Sequence, residues 1–141
     1  MKKDITFTMI KPDAVQKGYI GGILNKINEA GFKIKSMKLT LLSENEAKEF
    51  YSIHCDKPFF NDLISYMTSG PIVAAVLEKT NAVEEFRNLI GSTNPEEAAE
   101  GTIRRIYAES ISANAIHGSD SNENAIIESK FHFNENEIYD Y

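Results

Sequence analysis

The sequence holds a single cysteine, Cys55, and that scarcity excludes two things at once. No intrachain disulfide can form, and the cysteine pairs of a sulfur-rich zinc site are missing. A reducing, intracellular compartment is therefore expected. Long hydrophobic runs are missing too: the longest, Ile72 to Leu77, is far too short for a membrane-crossing helix. The start MKKDITFTMIKPD breaks its alternation with Asp4, two threonines and Lys11, which is not the core of a signal peptide. The expectation is a cytoplasmic chain with no membrane partner. There is no G-x-x-x-x-G-K-S/T loop, and Gly18, Gly21 and Gly22 do not make a G-x-G-x-x-G fingerprint. Any nucleotide phosphates would have to be held by side chains. Positive charge is in deficit, with 15 Lys and Arg against 21 Asp and Glu and a formal net charge of −6. That is the wrong sign for coating nucleic acid, so phosphate binding would need a local cluster of cations.

The 141 residues suit one domain spanning 1–141. Area scaling lets a chain of this mass bury about two thirds of its extended surface, so the core needs no staples. Apolar residues at 42% and charged residues at 26% are ordinary globular values.

Ile5, Phe7 and Met9 alternate with Thr6 and Thr8, the pattern of a half-buried strand, and Lys11 keeps the parity of the apolar face. A lysine there belongs at the strand's rim, just before Pro12 ends the ladder; on pattern alone a snorkelling surface lysine fits equally. Ile20, Ile23, Leu24 and Ile27 predict an amphipathic helix stopped by Gly31. Phe32 to Leu42 reads as a strand whose parity shifts between Ile34 and Met37, the mark of a bulge or a change of partner. Ser43 with Glu46 predicts a capping box, and Phe60, Leu63, Ile64 and Met67 form one side of a second short helix. Ile72 to Leu77 reads as a strand buried on both faces in mid-sheet. Asn81 and Glu84 predict a cap for a helix ending at Gly91, with Arg87 on its apolar stripe. Thr93-Asn94-Pro95 is a helix-start signal, and Asp120 with Glu123 predicts a helix through about Ser129. Phe131 to Tyr141 follows as a tail packed by its aromatics. The order fits an α+β sandwich, an antiparallel sheet covered by helices.

The phosphate-binding candidates are Lys11, Arg87 and Arg104, with neutral donors from Tyr51, Thr93 and Asn114; each cation alone also reads as a surface charge. The most informative stretch is Asn114-Ala115-Ile116-His117-Gly118-Ser119-Asp120-Ser121. It sets a histidine at the end of a short apolar run, before a glycine expected to leave one ring edge open. A lone histidine is ordinarily structural. It can also be a covalent nucleophile, because a free imidazole with pKa around 6.5 is roughly three quarters neutral at pH 7. Such a ring needs a partner on its other nitrogen, and Glu128 in the following helix can fold back to serve. A metal site from His54, Cys55, His117 and His132 fails on spacing, since adjacent His54 and Cys55 point to different sides of a helix.

The stretch NAIHGSDS resembles the active-site signature of the nucleoside diphosphate kinase family. IKPDAVQKGYIGGI, FYSIHCDKPFF, SGPIVAAVLE, GSTNPEEAAEGTIR and SDSNENA follow that family in order and spacing, from about Thr6 to about Tyr139. The resemblance implies a ferredoxin-like core and a ping-pong transfer of the γ-phosphate between magnesium-bound nucleoside tri- and diphosphates. It implies that His117 is the nucleophile, oriented by Glu128 with Ser119 beside it. Lys11, Tyr51, Arg87, Thr93, Arg104 and Asn114 would hold phosphates and sugar, with Mg2+ carried by the phosphates. Phe59 would stack on the base, with Ile111 standing where valine is usual, so broad base specificity is expected. Homo-oligomers, tetramers or hexamers built from dimers, are implied as well. Two departures, Ile106 where the family often has an acidic residue and Glu100 near a usual proline or lysine, bear on loop salt bridges and subunit contacts rather than on phosphate ligands. The rival reading is a nucleotide-binding regulatory module on the same fold, which would not require His117.

Overall fold

The computed structural model describes residues 4–141; the two-lysine start, Lys2 and Lys3, lies outside the described residues. Strand β1 (Asp4–Ile10) leads into the short α1 (Pro12–Gln16), α2 (Ile20–Glu29) and strand β2 (Lys33–Thr40). Helices α3 (Glu44–Phe50) and α4 (Phe60–Met67), joined through a 3-10 turn at Ser52–His54, precede β3 (Ile72–Lys79). Then come α5 (Ala82–Ile90), α6 (Ile103–Tyr107), β4 (Ile116–Gly118) and α7 (Asn122–His132). The four strands form one sheet in the order β2-β3-β1-β4, with every neighbouring pair antiparallel. Helices cover both faces, giving the ferredoxin-like α+β arrangement.

The central strands are apolar because both their faces meet helices. Residues Ile72 to Leu77 of β3 are buried throughout, as the unbroken run requires. Strand β1 is not half-buried, contrary to its alternation: Thr6 and Thr8 are as deeply buried as Phe7 and Met9. The Thr8 hydroxyl donates to the His117 carbonyl at 2.7 Å, which is how a polar side chain is tolerated there. The parity shift in β2 is a register shift between Ile34 and Ser36 against β3. One core layer joins Ile10, Ile23, Ile27, Leu77 and Phe86; the other joins Phe7, Met9, Met67, Val76 and Phe133.

Local signals mostly act where they stand. The capping box of Ser43 and Glu46 is fully formed, and Gly31 reverses the chain after α2 at φ 90. Several expectations need correction. Asn81 precedes α5 but makes no side-chain cap, because the tight turn out of β3 puts its backbone at φ 56 and capping uses extended backbone. Arg87 is exposed, one step round the helix from buried Phe86, so it lies at the rim of the stripe and not on it. Thr93-Asn94-Pro95 opens only a turn: Asn94 Oδ1 accepts from the Glu96 amide, and the chain then turns at Gly101, φ 86, to enter α6 capped by Thr102. Ser121, not Asp120, caps α7, and that helix runs on to His132. Phe133 packs inward, but Tyr139 and Tyr141 are exposed, because the tail lies along the edge of β2 with the Tyr139 amide donating to the Lys35 carbonyl at 2.9 Å.

Candidate active site

His117 lies opposite Met9 in the β1–β4 ladder, so its side chain shares the face of Phe7 and Met9. Lys11, two residues beyond Met9, emerges at that face's end. The approach to β4 is strained: Ala115 has φ 73, and the Ile116 amide donates to the Asn114 carbonyl at 2.9 Å, the bond of a γ-turn. The Lys11 amide holds this turn by donating to the Ala115 carbonyl at 2.8 Å, and the Lys11 ammonium donates to Asn114 Oδ1, also at 2.8 Å. Gly118 serves the other face, where a Cβ would come within 3.0 Å of Phe86 and 3.1 Å of Ile90. It lets α5 approach; it does not open an edge of the imidazole.

The His117 Nε2 lies 2.9 Å from Glu128 Oε1, near the middle of α7. The Ser119 hydroxyl donates to the same Glu128 oxygen at 2.8 Å and accepts from the Phe7 amide at 3.1 Å. An ionised carboxylate only accepts, so Nε2 carries the proton and Nδ1 the lone pair. The rings of Phe7 and Phe50 flank the imidazole at 6.1 and 5.8 Å between centroids, and the side chain keeps 20% exposure.

Three cations converge electrically on this end of the sheet. Arg104 is buried and donates to the carbonyls of Gly91 at 3.0 Å and Ile116 at 2.8 Å, while its Nε has no partner among the described residues. Burial, and then Arg87 nearby, lower its pKa to about 10. Burial, and then Arg104, lower that of Lys11 to about 8, with Asp13 opposing the shift. The Tyr51 hydroxyl is buried without a partner among the described residues, and burial followed by the Glu128 charge pushes its pKa up. A cluster of positive charge thus exists inside an acidic chain.

The structure brings His117, Glu128 and Ser119 into one hydrogen-bonded chain and joins Lys11 to Asn114. Phe59, Thr93 and Ile111 are exposed; among the described residues they make no side-chain hydrogen bond or ring contact to the other expected site residues. Sequence reasoning missed Asp13 and Tyr66, which flank Lys11, and the ring of His132 stacked on Phe7 at 5.0 Å. The parity of β1 carried the only signal for the Phe7 wall; Asp13 and Tyr66 meet across 53 positions and left no local trace.

The family model described as nucleoside diphosphate kinase matches residues 4–138. The nucleoside diphosphate kinase of Flavobacterium psychrophilum is 64% identical over 133 residues, covering 94% of this chain and 96% of that protein. The one from Campylobacter lari is 56% identical over 133 residues, covering 94% and 97%. Among solved structures, the Aquifex aeolicus nucleoside diphosphate kinase superposes with a TM-score of 0.96 at 42% identity, covering 98% of this chain and 100% of that one. The Halobacterium salinarum enzyme in complex with CDP gives 0.95 at 39% identity, covering 99% and 93%. With the likeness running through nearly the whole chain in both sequence and fold, this protein belongs to the nucleoside diphosphate kinase family.

Proposed function

We propose that His117 is the nucleophile through which this chain carries out its family's reaction, the transfer of a γ-phosphate between nucleotides by way of a phosphohistidine. The observation that carries this is the 2.9 Å contact of Nε2 with Glu128, which leaves Nδ1 free to attack. The Nδ1 lone pair forms a bond to the γ-phosphorus while the bond to the bridging oxygen breaks, and the nucleoside diphosphate leaves with that electron pair. Glu128 stabilises the positive charge that develops on the ring, and Ser119 holds the carboxylate in place. A terminal oxygen of a second nucleoside diphosphate then attacks the same phosphorus, and the P–N bond returns its electrons to Nδ1.

Lys11, Arg87 and Arg104 meet the negative charge of the transferring group, with Tyr51, Thr93 and Asn114 as neutral donors. The partnerless Tyr51 hydroxyl and Arg104 Nε support this role, since buried polar groups ordinarily find partners. Phe59 and Ile111 offer the base an aromatic face and an aliphatic side chain, which suit any base. The CDP bound to the Halobacterium relative supports a nucleoside diphosphate as ligand here. Magnesium would enter as an ion carried by the substrate, since it suits bridging phosphate oxygens and the cationic donors of this site suit the same oxygens. Bound there, it would neutralise charge on the phosphates. The proposed setting is a single 1–141 domain acting in the cytoplasm, in a homo-oligomer built from dimers; no described helix is long and apolar enough to cross a membrane.

Incubation with γ-labelled ATP tests the mechanism. The expected result is acid-labile, base-stable label on His117, lost together with transfer to a second nucleotide in His117→Ala. Transfer at the wild-type level in that variant would overturn it.

A further inference from the structure

Lys11 has a carboxylate for a near neighbour and yet makes no ion pair. Its ammonium donates to Asn114 Oδ1 and sits 6.0 Å from the centroid of the Tyr66 ring. Among the described residues no carboxylate lies within 4.0 Å of it. Asp13, two positions along in the first turn of α1, donates nothing and accepts the Tyr66 hydroxyl at Oδ1.

We infer that Tyr66 is a positioning residue for phosphoryl transfer: its hydroxyl tethers Asp13 away from Lys11, leaving the ammonium free to meet a nucleotide phosphate. This rests on the reading of Lys11 as a phosphate contact. An ammonium has three donors, and Asn114 takes one. A free carboxylate this close, on poorly solvated ground, would close on the ammonium, and an incoming phosphate would then have to displace it. The phenol prevents this with a charge-assisted bond. Burial, then the bond to Asp13, push the Tyr66 pKa up, so the tether keeps its proton at every working pH.

The charged and titratable groups facing this pair are few. Arg104 from α6 opposes the Lys11 charge, Asp13 from α1 favours it, and Tyr51, at the end of α3, adds to the upward push on Tyr66. At its tethered distance Asp13 supports the ammonium without quenching it, against a burial that brings the lysine to about 8.

The test is a comparison of Tyr66→Phe, Asp13→Asn and the double variant, with kcat and KM for ATP followed across pH. Tyr66→Phe keeps the ring and removes the tether. Its KM should rise roughly tenfold, the loss expected for one charged hydrogen bond, and its alkaline limb should move up by about one pH unit as Asp13 pairs with Lys11. Asp13→Asn should move the limb down, and in that background Tyr66→Phe should add no further shift. A limb that stays or falls in Tyr66→Phe, or an equal rise without Asp13, overturns the inference. Asp13→Glu, whose longer side chain reaches past the tether, gives the same upward shift if Tyr66→Phe does not fold, and an unmoved limb there counts against it equally. Wild-type protein that takes no label at His117 would remove the site reading and this inference with it; labelled wild type with an unmoved limb would remove the inference alone.

Discussion

Against α2 and α5 the sheet buries Ile10, Val73 and Leu77 beneath Ile23, Ile27 and Phe86, with the Thr8 hydroxyl bonded and, among the described residues, the Thr6 hydroxyl and the Nε of Arg104 at the α6 edge left without partners. Against α3, α4 and α7 it buries Phe7, Met9 and Val76 just as completely, but that side also keeps Lys11, His117 and the partnerless polar atoms of Tyr51, Ser129 and His132. Each partnerless buried group costs on the order of 1–3 kcal/mol. The first face therefore carries stability with fewer polar liabilities, while the second gives some stability up and holds His117 and Lys11, the groups proposed to meet the nucleotide.

The sharpest way to break this contrast is to cut each face once. Phe86→Ala, in the apolar layer, should lower the unfolding free energy by about 3–5 kcal/mol while the folded fraction keeps its transfer activity. Arg87→Ala, exposed beside the site, should slow phosphohistidine formation by roughly 10²–10³ with the melting temperature unchanged. Denaturant curves and single-turnover labelling of the two variants decide it. A stability loss in Arg87→Ala as large as that in Phe86→Ala would erase the distinction. Arg104 should behave as a hybrid, since its two bonds to backbone carbonyls tie it into the fold.

A smaller effect should appear at Lys11, and with the opposite sign to a core mutation. Its folded pKa of about 8 lies below the ordinary lysine value of 10.5, so the unfolded chain holds that proton more tightly. The charged lysine thus destabilises the fold fully below pH 8, and the penalty fades as pH rises towards 10.5. Lys11→Met should gain up to about 3 kcal/mol at pH 7, with a gain that shrinks by pH 10, and lose transfer activity. Urea titrations at the two pH values measure this; a variant less stable than wild type at pH 7 would show that the lysine supports the fold.

Smaller again is the effect of His132, whose pKa is lowered to about 4. Burial is the main cause; Lys38 and His117 add to it, while Glu46 and Glu128 oppose it. The unfolded chain takes up this proton as pH falls through about 6.5 while the folded chain does not, so stability is lost between pH 6.5 and 4. His132→Phe should recover about 2 kcal/mol at pH 5 relative to pH 7. Equal acid sensitivity of wild type and variant in denaturant midpoints would place the loss elsewhere.

What the sequence made legible is what short-range pattern carries. The bulge in β2, the buried run of β3 and the box at Ser43 each follow from a few adjacent residues. The chain from His117 through Glu128 to Ser119 could be read because all three lie within one turn-and-helix segment. Competition between neighbours was not legible: Asp120 and Ser121 both suit a cap, and the chain uses the serine while Asp120 accepts from the Asn124 side chain at 2.6 Å. Nor was the face of a residue next to a strained turn, which is why Gly118 packs against α5 instead of clearing the imidazole. The Asp13–Tyr66 bond and the stacking of His132 on Phe7 depend on the assembled sheet and have no local signature.

The pairing of β4 with β1 also fixes when the active site can exist. Lys11 meets Asn114 across 103 positions, and the Phe7 amide meets Ser119 across 112. A ribosome adding about 5–20 residues per second needs roughly 5–20 s to cover the first of those gaps. During that interval the nascent chain can pair β1 with β3 but has not yet placed His117, the proposed nucleophile. Nucleotide encountered by an unfinished chain therefore meets none of the His117–Glu128–Ser119 chain, and the proposed phosphoryl transfer begins only once the last strand has closed the sheet.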